Sequence, residues 1–453
     1  MKSIKGFLGF VFGSIKVVTR GSAGYWGWIV ALLVLIAIGG LAYLSQWNEG
    51  LAVTNLEDQM SWGFYIGNFA FLVGVAAAAV VLVVPAYVYG WKPTKEVVLL
   101  GELMAVAAIV MCMLFVTVDV GRPAMVWHMM PFVGTPNFPY SMLTWDVLVL
   151  TAYLLVNFFV VTYLVYMAYR GKSYDPKVVL PVVFLSIPLA IGIHTVTAFL
   201  FVALPARPFW HGAILAPRFI ASAFCSGPAL LLLIFMVLRK VQAFKIRDEA
   251  LVKVGELMAY AMAVNLFLLG TEVFKELYYR TAHSIHAEFQ WFGIHEHHGG
   301  EATLAHWAWM ALAFNVTAFI LLAVPAFRHK IHLLALGCVL AFCGVYIEKG
   351  MGLLVPGMTP DVLGEIYSYS PSGTELAIGV GIWGTGALLF TLMVKVAMAI
   401  NAGDFRAKSA TMELPAVEEP PEAPASTPEP APAGCVQPGT WVTLWTGHMG
   451  DTS

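Results

Sequence analysis

Apolar residues fall into ten long runs separated by short polar stretches, roughly at 24–46, 62–90, 97–119, 141–169, 178–203, 216–239, 253–278, 303–327, 331–355 and 374–400. Each run is long enough to cross a hydrocarbon core of about 30 Å as a helix. No period-two alternation competes with them, and barrel strands would show segments of only about ten residues. In lipid the backbone must satisfy its own hydrogen bonds, which leaves helices as the open-ended solution. The pattern therefore predicts an all-α polytopic membrane protein with about ten transmembrane helices. Ahead of the first run, Ile4, Phe7, Leu8, Val11, Ile15 and Val18 share one helical face, with Lys5 and Lys16 opposite. That predicts an amphipathic helix over 1–20 lying at the membrane surface. It does not read as a cleaved signal, because no small-residue cleavage site precedes the first span. Beyond the last run, eight prolines and five glutamates interleaved with Ala and Ser from 409 onward predict a disordered tail. With that tail taken as 406–453, the membrane domain occupies 21–405.

Composition supports the same picture. The 453 residues are 59% hydrophobic and 11% charged, against about 25% charged residues in soluble domains, which excludes an ordinary soluble enzyme. A formal net charge of −2 suggests no nucleic-acid partner. The five cysteines form neither CxxC nor CxxCH, so neither covalent haem nor a Cys-ligated iron–sulfur cluster is expected in this chain. Of the 25 Lys and Arg, nineteen fall in segments on the side of the N-terminus. Four (Arg122, Arg207, Arg218, Arg280) fall on the other side, and Lys275 and Lys349 lie within spans. The positive-inside rule then places both termini in the cytoplasm.

Ionisable residues within spans are costly and usually functional. Asp119 ends the third span, with Arg122 one turn on. Asp146 lies near the outer end of the fourth, His194 in the outer half of the fifth, and Glu272 toward the outer end of the seventh. Their similar depth predicts one polar pocket open to the outside, with Trp127, His128, Tyr140 and Trp145 at its mouth, suited to an amphiphilic ring that exchanges protons. Glu102 and Glu256 lie near the cytoplasmic edge and are candidates for a proton path. Plainer readings stand beside these. Asp119 and Arg122 can be an ion pair at a helix end, and Asp146 a first-turn carboxylate favoured by the helix dipole. Glu102, Glu256, Glu276, Lys349 and Glu375 can be edge residues reaching the headgroups. Haem ligation by His194 and His306 would need equal depth, and theirs differs by about two turns. The outer loop 279–302, with His283, His286, His295, His297 and His298, reads as a docking loop more readily than as a metal site, so no metal is assigned. Cys338 and Cys343 read as small core residues.

The segments SWGFYIGNFAFLVGVAAAAV (61–80), GELMAVAAIVMCMLFVTVDVGRP (101–123), the Trp127–His128 pair and SMLTWD (141–146) resemble the NrfD/PsrC family of quinone-interacting integral membrane subunits. The likeness covers roughly 20–400, and its most specific piece is D-x-G-R-P at the end of the third span. Within the family, the ten spans and the wording of spans 2–4 are most similar to the DsrP type of the DsrMKJOP complex, with Hmc- and Qrc-type proteins close to it. The resemblance implies two four-helix bundles in tandem plus flanking helices, and no redox centre in the chain itself. It also implies an outer quinone pocket and an extracytoplasmic [4Fe–4S] ferredoxin-like partner, alongside a multihaem cytochrome c and a haem b membrane protein. On that basis menaquinone is the expected substrate. Asp119 or Asp146 would exchange its protons, His194 or His128 would bond a carbonyl, and Arg122 would face the charge of the reduced ring. Electrons would connect to sulfite or DsrC-trisulfide reduction. A proton-coupled secondary transporter and a purely structural anchor for a redox partner remain open alternatives.

Overall fold

A computed structural model of the chain describes residues 2–407 except 90, 92–96, 131–132, 242–245, 279–283, 296–300, 303 and 360–364. Residues up to 407 belong to one compact unit. The expected tail lies, from 408 on, outside the described residues.

Long apolar segments have become helices throughout. Helix α1 spans Lys2–Val18. The first half of the membrane domain contains α2 (Ala23–Glu49), α3 (Phe64–Val83), α4 (Val98–Asp119), α5 (Met142–Tyr169) and α6 (Pro176–Val202). The second contains α7 (Leu215–Lys240), α8 (Asp248–Tyr278), the short α9 (Ile285–Trp291), α10 (Ala305–Ala323) and α11 (Pro325–Arg328). Then come α12 (Ile331–Lys349), α13 (Met351–Met358) and α14 (Gly373–Asn401). Among the described residues nine helices are long and apolar enough to cross a membrane. The remaining expected span is α3, continued by a π turn at Val84–Val88. Polar caps set several starts: the side chains of Ser22, Ser141 and Asp175 accept from backbone N–H groups of the first turn, and Ser372 and Glu375 close a capping box on α14.

Consecutive spans alternate in direction, which gives the unit two ends. The near end carries the start of α2 and the end of α14; the far end carries the described residues of the connections 50–63, 120–141, 203–214, 279–304 and 359–372. Helices α3–α6 pack as one bundle and α7, α8, α10 and α12 as a second, joined where α3 and α6 meet α7 and α12 meets α3. Helix α3 is apolar all round because it is buried almost all round, as such a helix must be. Helices α2 and α14 flank the first bundle as a close pair: a Cβ on Gly39 would lie 2.6 Å from Gly381 Cα. Small residues are what allow helix backbones to approach so closely in lipid.

Several details depart from the sequence expectation. The amphipathic α1 docks through Phe10, whose ring lies 5.5 Å from Tyr166, 5.3 Å from Tyr169 and 6.2 Å from Phe405. The apolar stripe of Phe7, Leu8, Val11 and Ile15 stays exposed, free for lipid. The ninth span is two helices, α12 and α13, broken at Gly350. Lys349 and Glu375, readable as headgroup-reaching residues, are buried. Arg218 is inside the second bundle and not in an outer segment. Arg328 is buried as well, donating to the carbonyls of Leu322 and Ala323 at the C-terminus of α10, where a cation meets orphan carbonyls.

Candidate functional site

A dense buried polar cluster lies in the far half of the second bundle and draws one or more side chains from each of its four helices. Arg218 on α7 donates through Nε (3.2 Å) and Nη2 (2.9 Å) to Glu348 Oε1 on α12. Its Nη1 is ion-paired with Glu272 on α8. Glu348 Oε2 accepts from Asn265 Nδ2 on α8 (3.2 Å) and from Asn315 Nδ2 on α10 (2.8 Å). A buried carboxylate is tolerated only when it is paired and hydrogen-bonded, and Glu348 has four such contacts. Gly344 makes room for this, since a Cβ there would lie 2.3 Å from Asn315 Oδ1.

Directly over this cluster, toward the far end, opens a cavity of about 330 Å³, within the range of small-molecule sites. Arg218 and Glu348 form its polar floor, and Trp291, Trp307, Tyr346 and Tyr369 contribute aromatic wall. Tyr369, in the connection before α14, donates to Glu375 Oε1 and accepts from Phe64 N–H. Burial, and then the Glu375 carboxylate, hold the Tyr369 phenol above its ordinary range, so it stays protonated. A cavity with one charged floor and aromatic walls is shaped for a flat amphiphile whose polar end points inward.

The four residues expected to share one pocket are distributed over three places. Glu272 belongs to the Arg218 cluster. Asp146, buried on α5, accepts 2.7 Å from Thr197 Oγ1 on α6. His194, one turn before Thr197, bonds through Nδ1 to Ala190 O at 2.8 Å. Asp119 lies at the far end of α4, with Oδ1 buried and without a hydrogen-bond partner among the described residues. It lies within electrostatic range of Tyr65, whose hydroxyl donates to Gln46 Oε1 on α2 at 2.7 Å. The ion pair considered for Asp119 and Arg122 is not formed: Arg122 is exposed at the start of a 3-10 turn, Pro123–Met129. Trp127 and His128 stack on each other within that turn and are exposed, as are Tyr140 and Trp145. Glu102 is buried on α4 with Oε2 unpartnered among the described residues, whereas Glu256 is ion-paired with Lys253 and accepts from Tyr260. His306 is exposed on α10, away from the buried environment of His194. His286 is buried against the carbonyls of Pro356 and Thr359. Arg280, His283, His297 and His298 lie outside the described residues, as does the side chain of His295.

Placing only ionisable residues by depth misses Asn265, Asn315 and Tyr369, and it counts Arg218 as a loop residue. Two amides in mid-span are a readable signal, since an Asn in an apolar run needs a partner as a charge does. No spacing in the sequence reveals that Arg218 faces Glu348, 130 positions away.

A family model described as "Polysulphide reductase, NrfD" matches residues 52–359. A Halobacterium salinarum protein named as a membrane component of a dimethyl sulfoxide reductase is 26% identical over 418 residues, which is 84% of this chain and 91% of its own length. A selenate reductase component of Mesobacillus selenatarsenatis is 21% identical over 83% of this chain and 94% of its own. An Hdr-like menaquinol oxidoreductase integral membrane subunit of Archaeoglobus fulgidus is 23% identical over 84% and 95%.

Proposed function

The chain belongs to the NrfD family of polysulphide-reductase-type membrane proteins, and from that premise we propose that it exchanges two electrons between a menaquinone-type quinone and a redox partner bound at the far end. The single observation that carries this reading is the far-end cavity, with Arg218 and Glu348 as its floor and aromatic rings as its walls. Arg218, held by two carboxylates, presents a fixed cation where charge develops on a quinone oxygen. Glu348 and Glu272 are the carboxylates placed to exchange the accompanying protons. The names of the relatives fit: one is a menaquinol oxidoreductase subunit, and two belong to reductases.

Asp119, Asp146 and His194 serve in this proposal as further proton-exchanging groups around the same end. Arg122, Trp127, His128, Tyr140 and Trp145, being exposed there, flank the surface on which an iron–sulfur partner docks. Glu102, buried, and Glu256 are the candidate cytoplasmic entries for protons, which would make the quinone chemistry electrogenic. The distribution of basic residues supports a far end outside the cell membrane, with both termini in the cytoplasm. The wording of spans 2–4 supports a destination for the electrons in dissimilatory sulfur metabolism, with a multihaem cytochrome c and a haem b protein in the same complex.

A second reading draws on the break between α12 and α13, because discontinuous helices beside buried charges also build transporter sites. A transporter works alone, whereas an electron-transfer protein of this kind purifies together with iron–sulfur or haem proteins. The test is a titration of the purified complex with a menaquinol analogue. One saturable site, weakened tenfold or more in Glu348→Gln and unaffected in Asp146→Asn, supports the cavity. The opposite pattern returns the quinone to the Asp119 and Asp146 side. No saturable site in wild type sinks the proposal.

A further inference from the structure

Where the two bundles meet, α3, α6, α7 and α12 enclose a small polar cavity of about 10 Å³, room for one water molecule. Two side chains at its wall are deeply buried, His194 at 2% exposure and Lys349 at 3%. His194 Nε2 and Lys349 Nζ both lack a hydrogen-bond partner among the described residues. These orphans come from different bundles and have complementary needs. The Nδ1–H of His194 is committed to Ala190 O, so in the neutral ring Nε2 is a bare acceptor, while the Lys349 ammonium is donor only. The other polar wall atoms are Ser222 Oγ and Ser226 Oγ, which donate to the carbonyls of Phe219 and Ser222 and keep their lone pairs free. An unsatisfied buried donor and an unsatisfied buried acceptor each carry a desolvation penalty. One water removes both, since it accepts from Lys349 and donates to His194 and to a serine. An anion fits less well, because three of the four groups offer lone pairs. Among the described residues no neighbour neutralises Lys349 in place of that water: its Nζ lies 4.4 Å over the Phe219 ring, and the adjacent Glu348 is occupied by Arg218 and two amides.

We propose that this cavity holds a single ordered water bridging Lys349 Nζ to His194 Nε2, and that the bridge is a proton-transfer link between the two bundles. As a link it rests on the quinone reading above; as a water site it does not. The step balances without another reactant. Lys349 gives one proton to the water, the water gives one to Nε2, and the result is a neutral amine and an imidazolium whose Nδ1–H stays on Ala190. Lys349 is next in sequence to Glu348 at the floor of the far-end cavity, so the ammonium end of the bridge lies in the second bundle. His194 is one turn from Thr197, whose hydroxyl holds Asp146, so the proton arrives on the first bundle; with Nδ1–H held by Ala190 O, it leaves again through Nε2.

Gly74 offers the test, because it lines the same cavity and a Cβ there would lie 3.4 Å from Ala223 and 3.6 Å from Ser226 Oγ. Those are ordinary contacts, so Gly74→Ala adds a methyl group that fits the fold and takes the water's space. The experiment is a cryo-EM map of the intact complex at a resolution that shows waters, for wild type and Gly74→Ala, with charge movement in proteoliposomes measured beside quinol oxidation by an artificial acceptor. We expect a peak between the two nitrogens in wild type and none in the variant. Charge movement should fall about tenfold in the variant while quinol oxidation holds. Lys349→Met should lose charge movement too; if it fails to assemble, Gly74→Ala still decides. A direct Lys349–His194 contact without a peak overturns the water. An emptied site with unchanged charge movement, or a wild type that moves no charge, overturns the link. Absence of quinol oxidation in wild type counts against the quinone reading alone, and the peak still decides the water.

Discussion

At the scale of single residues, the second bundle concentrates its risk in Glu348. Its two oxygens take four hydrogen bonds from three helices, and it shares Arg218 with Glu272. Glutamine there turns one of two accepting oxygens into a donor facing other donors, an unmatched buried group costing about 1–3 kcal/mol, while Arg218 keeps Glu272. Glu348→Gln should therefore lower the thermal midpoint of the detergent-solubilised complex by several degrees as well as weaken quinol binding. Glu256→Gln, whose partly exposed carboxylate at the near end meets Lys253, Arg328 and Tyr260, should leave the midpoint within experimental error. An equal drop in both would show that the cluster is not the stabilising centre it looks to be. Gly344→Ala probes the same centre by shape: the added methyl overlaps Asn315, and overpacking of this kind costs about 1–3 kcal/mol. We expect that variant to weaken quinol-analogue binding without touching any charge; unchanged binding would mean that Asn315 is dispensable. The ionisable residues were legible in the sequence as costly intramembrane groups. Their grouping was not, because Arg218 and Glu348 are brought together only by helix packing.

At the scale of elements, the apolar runs became helices near the expected bounds, nine of them long and apolar enough to cross among the described residues and the second as α3, since length and hydropathy suffice to decide a span. The break at Gly350 escaped notice because Met351–Met358 is as apolar as what precedes it. Helix α1 makes the element-level prediction. Phe10 is its anchor on Tyr166, Tyr169 and Phe405, so Phe10→Ala should release it. Amides of α1 should then exchange hydrogen faster by about tenfold or more, with quinol oxidation unchanged; unchanged exchange would show that the exposed apolar stripe, not Phe10, holds the helix. The α2–α14 pair gives another. Gly381→Leu places a large side chain where Gly39 Cα now lies and should separate α2 from α14, read as lost crosslinking between cysteines introduced at Leu35 and Gly384. Retained crosslinking would mean that the close contact is not required for the pair.

At the scale of the whole molecule, the two bundles are unequal. The first has α3 packed deep in its core and its carboxylates apart; the second gathers its polar groups under one cavity. The expected orientation is testable on the same scale. Single cysteines replacing Lys172 and Arg207 should be labelled by a membrane-impermeant reagent from opposite sides of spheroplasts, with Arg207→Cys reacting from outside. Labelling of both from one side would contradict the alternation of spans, and reversed labelling would invert the assignment of the termini.

The sequence by itself determined that this chain lives in a membrane, as helices, in about ten passes. Hydropathy and length are local properties, and lipid leaves the backbone no other open-ended solution. It also carried the family through the motifs of spans 2–4. Only the tertiary structure decided which buried charges are neighbours, because depth along a helix can be read from sequence while the direction a side chain faces depends on which helix packs there. It was packing that turned Arg218 inward, put Glu272 with Glu348 instead of Asp146, and left His194 and Lys349 facing one water-sized space.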